Sequence, residues 1–308
     1  MLALAGAMFT SAAGAQAASD IYLFAYFKEP GSQGIYLALS TDGLHYTALN
    51  DGQPWLVPSH PGEIMRDVFL TRDPATHGFQ AVWTWNWRGQ TLGHASSPDL
   101  LTWSAQDEIP VMQDFPANNT WAPETYWDAV KKKWLILWSS SMKDSKDGHR
   151  IWSTLTEDFH TFTKPTIFFD PGYVVIDATI FHAADGPYRL IYKEQTYDPL
   201  TFQERVVTGP TLEGPWDLKT VSGFINEPWS EGPSAIQVGD RTVVFYDHYR
   251  APRARFEAVA TRDWKHWEDI TPEISLPAYC KHGSFLRITA AEAERLRERH
   301  DPQTVPVP

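Results

Sequence analysis

The chain has 308 residues and a formal net charge of −12, enough for one large domain or two ordinary ones. That charge, with no run of basic residues, excludes nucleic acid as a partner, because phosphate binding needs a basic face. Its one cysteine, Cys280, excludes an internal disulfide and reads as a buried small apolar residue.

Residues 1–18, "MLALAGAMFTSAAGAQAA", are small and apolar and end in A-x-A patterns, as a secretory signal does. The run is too short to span a bilayer, and no later run qualifies. The expected product is exported, periplasmic or extracellular, with no transmembrane segment. Residues 19–300 show no linker and read as one domain. Residues 21–49 hold three strands, "IYLFAYF", "GIYLALS" and "HYTAL". Four strand-turn-strand pairs follow, at 67–85, 124–140, 177–193 and 232–249. Their turns, such as Asp185-Gly186-Pro187 and Gly239-Asp240, carry hairpin chemistry. "GSFLRIT" at 283–289 is one more strand. Thr289-Ala290-Ala291-Glu292 then reads as a capping box opening a helix to about His300. The tail 301–308, with three prolines, is expected to be disordered.

An acidic turn recurs after each pair: "ALSTDGLHYTAL", "HASSPDLLTWSA", "STLTEDFHTFTK", "VTGPTLEGPWDL" and "AVATRDWKHWED". Its acids, Asp42, Asp99, Asp158, Glu213 and Asp263, are spaced by 50–59 residues. Five units of this period predict an all-β fold, a five-bladed β-propeller with four strands per blade. The first blade lacks an inner strand, and 283–289 supplies it, so the chain closes its ring by pairing its two ends. Closure removes the open edges that invite aggregation.

In a propeller the starts of the inner strands line one cavity. Here they read "MRD", "WAPE", "VID", "SEGP" and "KHGS". Asp67, Glu124, Asp177 and Glu231 are therefore expected around one funnel, with His282 at the fifth mouth. Any one of these acids could be a solvated loop residue. Four at repeating positions point to a cleft of carboxylates, whose charges push their pKa values apart. One protonated acid and one ionised base are what acid–base catalysis requires.

The set Asp67, Asp177 and Glu231, with "WAPE" and "KHG" at the remaining mouths, resembles glycoside hydrolase family 43 from Tyr22 to about Thr289. The resemblance implies a five-bladed propeller that hydrolyses glycosidic bonds with inversion. Asp67 would be the general base, Asp177 the carboxylate that orients the acid and tunes its pKa, and Glu231 the general acid. The family's base motif is Arg-Asp-Pro, whereas this chain reads Arg66-Asp67-Val68. Its Arg-Asp-Pro at 72–74 falls in a hairpin turn. His282 resembles the family's axial histidine, which implies a structural cation such as calcium in the channel. A core histidine satisfied by backbone is the other reading. No organic cofactor is implied.

Aromatics form 14% of the chain, including 14 Trp and 12 Tyr, which suits both blade packing and sugar platforms. Trp121, Trp229 and one or two of Trp83, Trp85 and Trp87, with Trp85 foremost, are the candidate platforms. Arg66, Glu124, Lys193 and Tyr246, and less strongly His248, are further candidates for substrate binding. The expected partner is an oligo- or polysaccharide, and the expected state a monomer. The leading expectation is an exo-acting α-L-arabinofuranosidase. β-D-galactofuranosidase and β-xylosidase activity stand beside it. A non-catalytic carbohydrate-binding propeller and a glycoside phosphorylase are the readings from other classes.

Overall fold

The computed structural model describes residues 21–183, 186–252 and 254–298. The signal-like segment, the tip of the Asp185 turn, the end of the helix and the tail lie outside them. Five antiparallel sheets are present. The first holds β1 (Ile21–Phe27), β2 (Tyr36–Ser40) and β3 (Thr47–Ala48). The second runs β4 (Arg66–Arg72), β5 (Phe79–Thr84), β6 (Leu92–Ser97), β7 (Asp107–Ile109). The third runs β8 (Trp121–Asp128), β9 (Lys133–Ser140), β10 (Arg150–Thr156), β11 (Thr166–Phe169). The fourth runs β12 (Val175–His182), β13 (Tyr188–Glu194), β14 (Gln203–Gly209), and the fifth β15 (Ser230–Val238), β16 (Arg241–His248), β17 (Arg255–Thr261), β18 (Glu268–Asp269).

The last strand, β19 (Lys281–Ile288), pairs with β1 and completes the first sheet. Ile21 faces Ile288 and Phe24 faces Phe285. The Phe24 and Phe285 rings stack at 4.2 Å, and Phe285 stacks on Phe245 of the fifth blade at 4.1 Å. Each such pair adds about 0.5–1.5 kcal/mol beyond burial, so the seam is fastened by rings as well as by ladder bonds. The helix α1 (Ala290–Glu298) follows, and its capping box forms as expected. Glu292 accepts from the Thr289 amide at 2.7 Å, and the Glu292 amide donates to Thr289 Oγ1 at 3.2 Å.

The inner strands β4, β8, β12, β15 and β19 neighbour one another in a ring. The core is accordingly five apolar clusters, one in each gap between adjacent blades. Cys280 is buried in one of these gaps.

One expectation about the repeat needs correction. Four of the acidic turns are equivalent, but Glu213 is not a fifth. Its carboxylate pairs with Lys131 at 2.5 Å instead of capping its own turn. The fourth blade also lacks a full outer strand, keeping one bridge between Thr208 and Asp217. Pro210 and Pro215 have no amide to give a ladder, and Asp217 caps the Lys219 amide to start a short turn.

Candidate active site

The ladder slips by a residue at the mouth of every inner strand. Bulges lie between Arg66 and Phe69, Trp121 and Glu124, Ile176 and Ala178, and Glu231 and Ser234, and on β19 opposite Ala25 to Phe27. At four of them one residue is left-handed: Asp67 (φ 53°), Ala122 (48°), Asp177 (50°) and Gly232 (63°). Bulges re-aim side chains and often sit beside active sites. A non-glycine residue in this region costs about 1–3 kcal/mol, which the surroundings must offset. Hydroxyls of the neighbouring blade help to hold it: Ser139 Oγ accepts from the Asp177 amide at 3.0 Å, and Thr84 Oγ1 from that of Ala122 at 2.9 Å.

Asp67, Asp177, Glu231 and His282 are brought together. Asp67 Oδ2 accepts from Thr84 Oγ1 at 2.7 Å, and Oδ1 lies 3.6 Å from His282 Nδ1. The His282 ring passes beneath Gly232, where a Cβ would meet its Cγ at 2.4 Å. Only glycine fits there. The Gly232 amide then donates to Asp177 Oδ2 at 3.2 Å. Asp177 is buried, and burial raises its pKa to about 6. His282 and Lys193 oppose that rise, while Glu231 and Asp67 reinforce it.

Glu231 is partly open to solvent, and one of its oxygens lies 3.1 Å from Lys193 Nζ. Lys193 as a residue is 1% exposed. It also reaches the Tyr249 hydroxyl at 3.4 Å and lies over the rings of Phe202 and Tyr249. Burial would lower its pKa, but Glu231 and Asp177 outweigh that and push it up. Arg66, beside Asp67, is clasped between the rings of Phe27 and Trp87 and bonds to Glu29 at 2.6 Å.

Among the platform candidates, Trp121 is half-buried, stacks on His149 and donates to the Trp87 carbonyl at 3.0 Å. Trp229 meets Phe202 and Tyr249 edge-on, with Arg250 over its ring at 4.0 Å. Three expectations are corrected. Trp85 is 7% exposed and packs in the core with Trp83, whereas Trp87 stands half-exposed over Arg66. Strand β5 ends at Thr84, so strand alternation no longer sets which way Trp85 and Trp87 face. Tyr246 is buried in the gap between the fourth and fifth blades, because it faces the opposite side of β16 from Asp247. Glu124 closes its bulge, two residues after the left-handed Ala122, and is back in the regular ladder opposite Leu137. It is buried, bonded to the Tyr126 hydroxyl, and driven by burial to a pKa of about 8. His248 is buried and lines a small cleft with Trp229 and Arg250.

Sequence reasoning missed Asp247, which pairs with Glu231 across the β15–β16 ladder and bonds to Lys281 at 3.0 Å. An acid inside the apolar run "VVFYDHY" was the available signal. Burial raises its pKa to about 6. Tyr249, Thr84 and His149 were missed for want of any local motif. Among the described residues no group of three or more His, Cys, Asp or Glu side chains is arranged to hold a metal ion. At the fifth mouth His282 Nδ1 lies 3.6 Å from Asp67 Oδ1, one imidazole and one carboxylate where calcium prefers several oxygens, and no step below passes through a cation.

The family model for a probable glycosyl hydrolase domain, related to glycoside hydrolase family 43, matches residues 18–294. This chain belongs to that family. An α-L-arabinofuranosidase of Bifidobacterium longum subsp. longum is 33% identical over 213 residues, 56% of this chain. The chain spans only 20% of that relative's length. An exo-1,5-α-L-arabinanase from a bovine ruminal metagenomic library shares the fold, with TM-score 0.58 and 13% identity over 83% of this chain and 94% of that one. The endo-arabinase of Bacteroides thetaiotaomicron superposes with TM-score 0.54 and 14% identity, over 69% and 81%. At that identity the likeness of these glycosyl hydrolase structures concerns architecture alone. Among the described residues no helix is long and apolar enough to cross a membrane.

Proposed function

We propose that this glycosyl hydrolase is an inverting, exo-acting enzyme that releases terminal furanosyl or pentosyl units, α-L-arabinofuranosyl first among them. The observation that carries this is one cluster in which Asp67, Asp177 and Glu231 each have a different environment. Asp67, held by Thr84 and His282, is the base that takes a proton from the attacking water. Glu231, the most open of the three, gives its proton to the leaving oxygen. Inverting enzymes divide the work between two carboxyl groups in this way, with room for water between them. Asp177 feels the charges of both and, when ionised, opposes charge on Glu231.

Lys193 sharpens the mechanism. An ammonium on one oxygen favours the ionised carboxylate, so Glu231 can act as an acid only when that pairing loosens. Tyr249 offers Lys193 another oxygen at 3.4 Å. A substrate hydroxyl arriving beside Glu231 would let Lys193 shift toward it and free the acid to carry a proton. The choice of arabinose rests on the relative named an arabinofuranosidase. A screen of chromogenic arabinofuranosides, galactofuranosides and xylosides, with the product anomer followed by NMR, tests sugar and stereochemistry together. Retention of configuration, or no turnover of any member, would overturn the proposal. Ligand binding without turnover would make the protein a carbohydrate-binding propeller.

A further inference from the structure

Glu231 and Asp247 stand directly opposite each other where β15 pairs with β16. Opposed residues on one face of an antiparallel pair have Cβ atoms about 4.5–5.5 Å apart, and like charges there are destabilising. Two cations flank the two acids. Lys193 Nζ lies 3.1 Å from one oxygen of Glu231. Lys281 Nζ lies 3.1 and 3.0 Å from the two oxygens of Asp247. The order across this mouth is therefore cation, acid, acid, cation, contributed by β13, β15, β16 and β19.

The two halves of this row differ. The Glu231 side chain is 29% exposed and that of Asp247 2%. Lys193 has a second oxygen in reach, the Tyr249 hydroxyl, whereas Lys281 grips both oxygens of one carboxylate. Asp247 is too buried to touch a substrate. Fastening the fifth blade to the first is not a sufficient role for it, since desolvation offsets much of the attraction in a buried ion pair. The stacked rings of Phe24, Phe285 and Phe245 already join these blades. Burial lifts the Asp247 pKa to about 6 and Lys281 opposes the rise, so Asp247 is ionised at neutral pH. Glu231 and His282 also act on Asp247, and the buried Cys280 thiol feels its charge. Across the ladder on β17 it meets Phe256. Glu231 is faced by Lys193, Asp177, Arg66 and the Tyr249 hydroxyl as well.

We infer that Asp247, held by Lys281, is a positioning residue for the acid: its fixed negative charge drives Glu231 to take up a proton from solvent once Lys193 moves to the substrate. The inference rests on the hydrolase reading above. In each turnover Asp67 ends with the proton of the attacking water and Glu231 ends ionised. Asp67 then returns its proton to solvent, and Glu231 takes one back. Lys193 opposes that uptake and Asp247 promotes it.

The test is the alkaline limb of the kcat/KM–pH profile, measured on the aryl glycoside that the protein hydrolyses fastest. Asp247→Asn removes the negative charge and leaves Lys281 unneutralised. The limb should move down by about one pH unit, a roughly tenfold loss above it, with activity recovered on the acidic side. Lys281→Met leaves the Asp247 charge unneutralised, so the two acids hold their last proton longer and the limb should move up. Asp247→Glu keeps the charge and should stay near the native limb. An unmoved limb in the first two variants, shifts of the same sign, or a loss uniform across pH would overturn the inference, since the ion pair would then only brace the fold. Spectra of carboxyl-13C glutamate, with the Glu231 signal assigned by its loss in Glu231→Gln, read the same shifts without turnover. An inactive native protein would overturn the hydrolase reading, and the 13C titration would still decide whether Asp247 governs Glu231.

Discussion

Two sets of acids sit on this propeller, at opposite ends of its blades, and backbone and burial treat them in opposite ways. At the far turns, Ser40, Ser97, Thr156 and Thr261 each accept the amide of the residue three positions on. That residue, Gly43, Leu100, Phe159 or Trp264, is left-handed. Two positions after each hydroxyl, Asp42, Asp99, Asp158 or Asp263 accepts the next two free amides. The amides of Thr161 and His160 thus hold Asp158 down to about 2. At the mouths the left-handed residues include Asp67 and Asp177 themselves, and the nearby carboxylates are buried with few donors. Burial lifts Asp177 and Asp247 to about 6 and Glu124 to about 8. An aspartate given several amides and water is a clamp, and a buried carboxylate with few donors holds its proton into the neutral range. The same residue type does structural work at one end and is available for proton transfer at the other.

The sharpest way to break this comparison is at the mouths. Glu231→Gln, Asp67→Asn and Asp177→Asn should each lower kcat/KM by about 10^2–10^4-fold with little change in circular dichroism. Turnover within a few-fold of native in any of them would remove that residue from the chemistry. Lys193→Met should lower activity less, on the order of tenfold, and move the alkaline limb of the pH–rate profile upward, since Glu231 loses the charge that favours its ionised form. An unmoved limb would mean that Lys193 does not govern the acid.

Stability should also follow pH. Groups whose folded pKa is raised contribute stability that is complete below their unfolded pKa and is lost as pH rises through the folded value. Resistance to urea should therefore fall as pH rises from about 4 to 8. Glu124→Gln should flatten the upper part of that slope, an effect on the order of a few kcal/mol. A pH-independent difference between the two proteins would show that Glu124 does not titrate in this range. The smallest effect belongs to the turns. Ser97→Ala removes the acceptor of the Leu100 amide and should cost about 1 kcal/mol while kcat stays within experimental error. A loss of activity larger than the loss of stability would show that the turns communicate with the site.

Much of this was legible because it is periodic. The turn acids, the hairpins and the split blade follow from turn chemistry and alternation, which are local. So did the acids at the mouths, each at the start of an apolar run. The misreadings on the strands share one cause. On a strand, one residue decides which side a group faces, and a bulge changes that parity without a mark in the sequence. Tyr246 faces the gap between blades while its neighbour Asp247, which was missed, meets Lys281, and Trp85 packs inward beyond the end of β5 while Trp87 stands half-exposed. Glu213 had the right spacing, but its turn contains two prolines and no hydroxyl-x-Asp pattern.

By itself the sequence determined the number of blades, the closure of first strand on last, and the acids at the mouths, because these depend on spacing along the chain. Only the tertiary structure decided which acids meet. Gly232 lets His282 slide beneath it, and its amide then reaches Asp177. Lys193 crosses from β13 to Glu231, and Glu124 is left buried behind Tyr126. Those choices depend on contacts between strands dozens of residues apart, where the loss of one side chain or the slip of one residue redirects a charge.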